Sequence, residues 1–177
     1  YRGYPASLCT SVNEEIIHGI PSSRVLKEGD IVGLDFGVLF DGFYGDAAVT
    51  VPVGEVSLKA KDLIEAAEKA FYKGLEKLKK GNRISDISSA IQTYVEGRGF
   101  SVIRSFVGHG IGHSLHEEPP VPNFGLPGRG PKIREGLTLA IEPMIALRDW
   151  QEEVLEDGWT ALTKDKSLSA RCEHTAG

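Results

Sequence analysis

At 177 residues the chain is most simply one domain, long enough to bury a real core. Its 20 Lys and Arg against 25 Asp and Glu leave a net charge of −5, which argues against a broad nucleic-acid footprint. No run of about 18 apolar residues and no charged-then-apolar leader can be read, so the expectation is a cytoplasmic protein with no membrane partner. Two cysteines without CxxC spacing, Cys9 and Cys172, suit reduced thiols rather than a disulfide framework.

In chain order, Ser7 to Val12 reads as a strand and Asn13-Glu14-Glu15 as a turn. Ile16 to Ile20 is a short apolar run stopped by Pro21. Ile31 to Val51 is a hairpin, because Asp41-Gly42 supplies the two positive φ angles of a type I′ turn. Its first strand presents Val32, Leu34, Phe36, Val38 and Phe40 as a face expected to be buried. Ser57 to Lys80 has apolar residues at helical spacing, with Gly81 as its stop. Its basic end, from Lys73 to Arg83, reads as a solvated face rather than a nucleic-acid contact. A second helix is expected over Ser85 to Glu96 with Ser85 as N-cap. Phe100 to Val107 is a predicted strand, Pro119 to Pro131 an ordered surface loop, and Leu137 to Ile145 a strand. Asp157-Gly158 turns between two more strands, and Leu168 to Thr175 is the last.

The hairpin carries the first chemical signal. With Asp41-Gly42 as the turn, Gly37 lies opposite Asp46 and Asp35 opposite Ala48. Alternation then places Asp35 and Asp46 on one face, about 7–8 Å apart at the backbone. Two like charges held there repel unless a cation lies between them, and Gly33 and Gly37 clear space on that face. Without further partners, the same pair is equally a charge pair on an exposed sheet. Glu142 stands on an otherwise apolar strand and needs a partner, since an isolated buried charge costs several kcal/mol. His109 is flanked by glycines that would let its backbone approach a ligand, and those glycines argue against a helical His109–His113 metal pair. Asp35, Asp46, His109, Glu142 and Glu173 form an oxygen-rich set that would hold a pair of cations about 3.5–4 Å apart. Mn, Fe, Co or Zn all suit it. His18 and His116 remain for proton transfer or oxyanion stabilisation.

Four separated runs, Ser11-Val12-Asn13-Glu14-Glu15 with His18-Gly19-Ile20-Pro21, Gly108 to Gly112, Ile141-Glu142-Pro143-Met144 and Glu173-His174-Thr175, resemble type I methionine aminopeptidases of the bacterial kind. The resemblance covers essentially the whole chain. It implies an α+β pita-bread fold: a curved antiparallel sheet with a pseudo-twofold axis, helices on its outer face and a two-metal site. It implies removal of the initiator Met from nascent chains with a small second residue. Asp35 would be a terminal ligand, Asp46 and Glu173 bridging ligands, and His109 and Glu142 would complete the second metal. Glu142 would accept a proton, His116 would stabilise the oxyanion, and His18 would hydrogen-bond the scissile amide. Tyr1, Tyr4, Cys9, Leu115 and Trp159 would build the Met pocket, although for Cys9 and Leu115 the residues alone favour ordinary core packing. The family often carries an aromatic residue where Leu115 stands. Contact with the ribosome near the exit tunnel, and a monomer when full length, belong to the same expectation.

The chain opens at Tyr1 without a Met and stops within a predicted strand, so a single catalytic domain over 1–177, truncated at both ends, is expected. Similar proteins have a pair of helices before Tyr1, and their loss would uncover several hundred Å² of apolar sheet. The nearest rival is an X-Pro-cleaving peptidase of the same fold. A non-catalytic peptide-binding module is the alternative from another class.

Overall fold

The computed structural model describes Tyr1 to Gly177. The first strands are β1 (Cys9–Val12) and β2 (Glu15–Ile17), followed by the hairpin of β3 (Ile31–Phe40) and β4 (Phe43–Pro52). Two helices, α1 (Leu58–Leu75) and α2 (Ile84–Gly97), come next. Then follow β5 (Ser101–Val102), β6 (Val107–Gly110), β7 (Glu117–Pro122), β8 (Leu139–Ile141) and β9 (Met144–Ala146). The chain ends with β10 (Glu152–Val154), β11 (Ala161–Thr163), β12 (Ser169–Arg171) and β13 (Glu173–Ala176).

The central sheet has the order β1-β3-β4-β13-β8-β6-β7, with every pairing antiparallel. Two three-stranded sheets, β10-β11-β2 and β12-β9-β5, flank it. The hairpin has the expected register, Phe40 opposite Phe43, Gly37 opposite Asp46 and Asp35 opposite Ala48. Its turn residues Asp41 and Gly42 have φ of 48° and 81°, the left-handed pair that a type I′ turn demands.

The main core lies where α1 and α2 cover one face of the central sheet. Leu63, Ala67, Phe71, Ile87, Ile91 and Val95 pack there on Leu139, Ile141 and Ile145. His174 is on this covered face, its ring 5.0 Å from that of Phe71. A smaller core of Ile16, Ile17, Ile103, Met144, Ala146 and Ala161 joins the flanking sheets. No helix is long and apolar enough to cross a membrane.

Helix α1 starts as expected, with Ser57 Oγ accepting the Ala60 amide at 3.2 Å. Ser57→Ala is expected to cost about 1 kcal/mol, read as a shift in the denaturant midpoint at unchanged slope. The helix ends at Leu75 rather than Lys80, because tighter bonds take over: the Lys77 amide donates to Gly74 and that of Leu78 to Leu75. Leu78 keeps its place against the core, which is why the apolar spacing outlasts the helix. In α2 the cap is not Ser85. The Asp86 carboxylate accepts the Arg83 amide at 2.7 Å, while Ser85 Oγ donates to the Arg129 carbonyl at 2.8 Å.

Three predicted strands each split in two. Phe100 to Val107 becomes β5 and the start of β6; Leu137 to Ile145 becomes β8 and β9; Leu168 to Thr175 becomes β12 and β13. The last two breaks face each other: Pro143 has no amide to give, and its carbonyl accepts the Cys172 amide at 3.3 Å. At that level both segments pass from the central sheet to a flanking one. The Pro119 to Pro131 stretch is not all loop, since β7 reaches Pro122. It pairs only with β6 at the sheet's edge, where prolines cost no ladder bond.

The hairpin face expected to be buried is buried only at its root. Val32 is 3% exposed and Leu34 half-buried, but Phe36, Val38 and Phe40 are 48%, 49% and 80% exposed. Phe43, Val49 and Val51 continue the same exposed face across the ladder. The helices cover this same face, but over the half of the sheet beyond β4, with α1 touching only part of β4.

Candidate metal centre

Residues paired across a ladder share a face, and this rule collects the site. Asp35 pairs with Ala48, Ala48 with Glu173, and Gly37 with Asp46, so the three carboxylates face away from the helices. His109 pairs with Ala140, and Ala140 with Thr175, which places His109 on that same face. Glu142 follows β8 by one residue, at the Pro143 break. All five predicted ligands therefore line one cavity of about 710 Å³, although Asp35 and Glu142 stand outside the group whose ligand atoms converge.

Ligand atoms of Asp46, His109 and Glu173 all lie within 4.8 Å of one another. His109 Nε2 is 3.8 Å from Asp46 Oδ2 and 3.6 Å from Glu142 Oε1. Its Nδ1 is 2.8 Å from the Gly110 carbonyl, which can only accept. In the neutral ring the proton is thus on Nδ1, and Nε2 turns a lone pair toward the carboxylates. Thr175 Oγ1 clamps the Asp46 backbone, accepting its amide at 2.8 Å and donating to its carbonyl at 3.1 Å.

The glycines beside His109 serve a different purpose from the one expected. A Cβ on Gly108 would meet the Ala140 carbonyl oxygen at 2.4 Å, and one on Gly110 the Glu118 carbonyl oxygen at 2.2 Å. They admit neighbouring strands, not a ligand. The space beside the hairpin glycines is likewise filled by protein: Leu115 packs on Gly37, and the stem of Arg171 passes Gly33.

The electrostatics are those of a cation site. Burial raises the Glu142 carboxyl well above its ordinary range, and the neighbouring charge of Glu173 adds to this. Burial pushes Glu173 up to about 8, with Arg171 pulling the other way. Asp46 is raised by burial and then by Asp35. Crowded acids that resist ionisation are relieved by a divalent cation, and the hard oxygen donors with one imidazole fit such an ion.

The remaining predicted residues line the same cavity. The Tyr1 hydroxyl is 3.0 Å from His116 Nδ1, and the two rings stack at 5.4 Å. The His116 ring lies 4.2 Å from that of His109, and burial followed by His109 pushes its pKa down to about 4. Tyr4 donates to the Gly19 carbonyl at 2.7 Å and meets Trp159 edge-on. His18 has a positive φ of 61° and is lowered in pKa by burial and then by Arg171. It stands edge-on to Phe106 and Trp159. Cys9 is paired with Asp35 across β1 and β3, and burial pushes its thiol up. Leu115 completes the wall.

Phe106 and Arg171 are among the wall residues that the sequence reading did not assign to the site. Phe106 carries no local signal. Arg171 does: it is the one charge between Leu168 and Cys172 and stands two residues before Glu173. It is 2% exposed, and its Nη1 donates to Asp35 Oδ2 at 2.7 Å.

The sequence profile of metallopeptidase family M24 matches residues 1–176. The chain belongs to metallopeptidase family M24. Among its relatives, a methionine aminopeptidase of Clostridium perfringens is 56% identical, the match covering 98% of this chain and 70% of that one. One of Bacillus subtilis is 50% identical, over 99% of this chain and 71% of its own length. The solved methionine aminopeptidase of Rickettsia prowazekii superposes with a TM-score of 0.98 at 44% identity, covering 100% of this chain and 72% of that one. A prolidase of Pyrococcus horikoshii superposes at 0.75 with 24% identity, over 96% of this chain and 44% of that one, a likeness of fold alone. The M24 chain thus has the pita-bread α+β fold, and divalent metal binding comes with its family.

Proposed function

We propose that this M24 peptidase removes the N-terminal methionine from polypeptides whose second residue is small, using two divalent ions held by Asp35, Asp46, His109, Glu142 and Glu173. The observation that carries the reading is that these five side chains line one cavity with aromatic and apolar residues, and that ligand atoms of Asp46, His109 and Glu173 converge within it. Asp35 would hold one ion, His109 and Glu142 would hold the other, and Asp46 and Glu173 would be shared between them. Bound there, Co, Mn, Fe or Zn would lower the pKa of a water enough for it to attack at neutral pH.

The chain's own residues do the rest. Burial, and then the neighbouring Glu173, raise the pKa of Glu142 and so make its carboxylate the stronger base, which accepts a proton and returns it. His116 is uncharged at neutral pH, so a phenol donating to its Nδ1 leaves Nε2–H to donate to the scissile carbonyl oxygen as charge develops. His18 holds the scissile amide. Tyr1, Tyr4, Cys9, Leu115 and Trp159 surround the methionine side chain, and the flexible thioether suits aromatic walls. Residues 1–177 act as a single catalytic domain. A nascent-chain substrate calls for an enzyme in the cytoplasm near the ribosomal exit tunnel, and the full-length protein would work as a monomer.

Activity on a Met-Ala-Ser peptide, against a Gly-Pro dipeptide, tests the substrate. Met-Ala-Ser is expected to be cleaved, with cleavage lost on chelation and restored by Co(II) or Mn(II). Preference for Gly-Pro would replace this reading with the X-Pro one. Turnover that survives complete metal removal would end the metal chemistry.

A further inference from the structure

Arg171 is the only cation inside the carboxylate cup. Its backbone is held by Thr50, whose hydroxyl accepts the Arg171 amide at 2.8 Å and donates to its carbonyl at 2.9 Å. Its stem lies along Gly33, where a Cβ would stand 3.8 Å from Cδ. The guanidinium fork then reaches the ligands themselves. Nη1 donates to Asp35 Oδ2 at 2.7 Å, Nη2 donates to Glu173 Oε2, and Nη2 is 3.8 Å from Glu142 Oε2. Nε is buried without a hydrogen-bond partner, so charge pairing rather than full hydrogen bonding keeps the group there.

The five ligands are therefore not equivalent. Asp46, His109 and Glu173 present converging donor atoms. On the Asp35 side, oxygens of Asp35 and Glu173 are already engaged by a permanent positive charge.

We propose that Arg171 is a built-in counter-cation and positioning residue, which holds Asp35 and Glu173 in place without metal and weakens binding of the ion on the Asp35 side. The proposal rests on the two-ion reading above. Two effects of Arg171 on metal oppose each other. Holding the ligands in place favours binding, but a unit charge bonded to the ligand carboxylates of a buried site repels a divalent ion strongly, and the repulsion is the larger effect in such a site. Removing the charge should thus act with opposite signs on the two states. The metal-free protein loses stability, because two buried carboxylates lose their partner, while the Asp35-side ion binds more tightly. A merely structural arginine would weaken both.

The test uses the whole protein, stripped by chelator and titrated with Co(II) by calorimetry and visible absorption. Arg171→Gln is expected to lower the metal-free Tm and to tighten the second Co(II) equivalent by about tenfold or more. Arg171→Lys, which keeps the charge but not the fork, should leave that equivalent as weak as in the parent. If Arg171→Gln does not stay folded without metal, it is prepared loaded and its second Co(II) is withdrawn by graded chelators. Removal must then need about tenfold lower free Co(II) than in the parent. A second equivalent that binds equally or more weakly in Arg171→Gln overturns the role of Arg171 and leaves the two-ion reading standing. If neither protein takes a second equivalent, both fall.

Discussion

Asp46→Asn is expected to lower kcat/KM by more than about 100-fold while leaving the metal-free fold at least as stable as the parent. The two halves have one cause. Asp46 lies in the converging triad with His109 and Glu173, and an amide cannot offer two anionic oxygens to metal. Without metal, however, its charge is a liability: burial and then the neighbouring Asp35 raise its pKa. A raised carboxyl pKa means the ionised form is disfavoured by folding, so the neutral isostere relieves repulsion rather than breaking a bond. The backbone of Asp46 stays clamped by Thr175 in either case. Steady-state kinetics and a denaturant melt of the stripped protein check both signs. Near-parent turnover would remove Asp46 from the metal site; a large loss of stripped-state stability would make it structural.

Gly110→Ala is expected to be nearly as damaging to activity, without touching any ligand atom. Its Cβ would lie 2.2 Å from the Glu118 carbonyl oxygen and 3.0 Å from that of Glu117, so β6 and β7 must move apart. Overpacking of this kind costs about 1–3 kcal/mol. His109 is the adjacent residue, and its Nδ1 bonds the Gly110 carbonyl, so the imidazole moves with the strand. A shift near 1 Å at a reacting site costs about 100-fold in rate. Gly108→Ala should behave similarly through the Ala140 carbonyl at 2.4 Å. Gly45→Ala, with nothing within 4 Å of the added carbon, is the control expected to be neutral. Full activity in Gly110→Ala would mean that β7 yields alone and His109 stays fixed.

Local rules made much of this legible in the amino-acid order. Asp41-Gly42 determines the hairpin register, and register alone puts Asp35 and Asp46 on one face. Ser57 and the apolar spacing after it determine where α1 begins. These features depend on neighbours in sequence, which is why sequence reaches them. The convergence of His109, Glu142 and Glu173 onto that face was legible only through motif resemblance, since no local spacing joins residues so far apart in the chain.

Tertiary structure decided the rest. A continuous apolar alternation cannot reveal that Leu137 to Ile145 and Leu168 to Thr175 each change sheets at one level. That change depends on Pro143 and Cys172 facing each other. The same crossing carries Arg171 into the acids beside Glu173. An arginine in a strand reads from sequence as an exposed residue; only the assembled cup, where Asp35 and Glu173 meet it, makes burying its charge favourable. The outer face of the hairpin teaches the converse. Val32 to Phe40 alternate as a buried face should, but burial requires a layer to pack against, and from Phe36 outward this chain places none there.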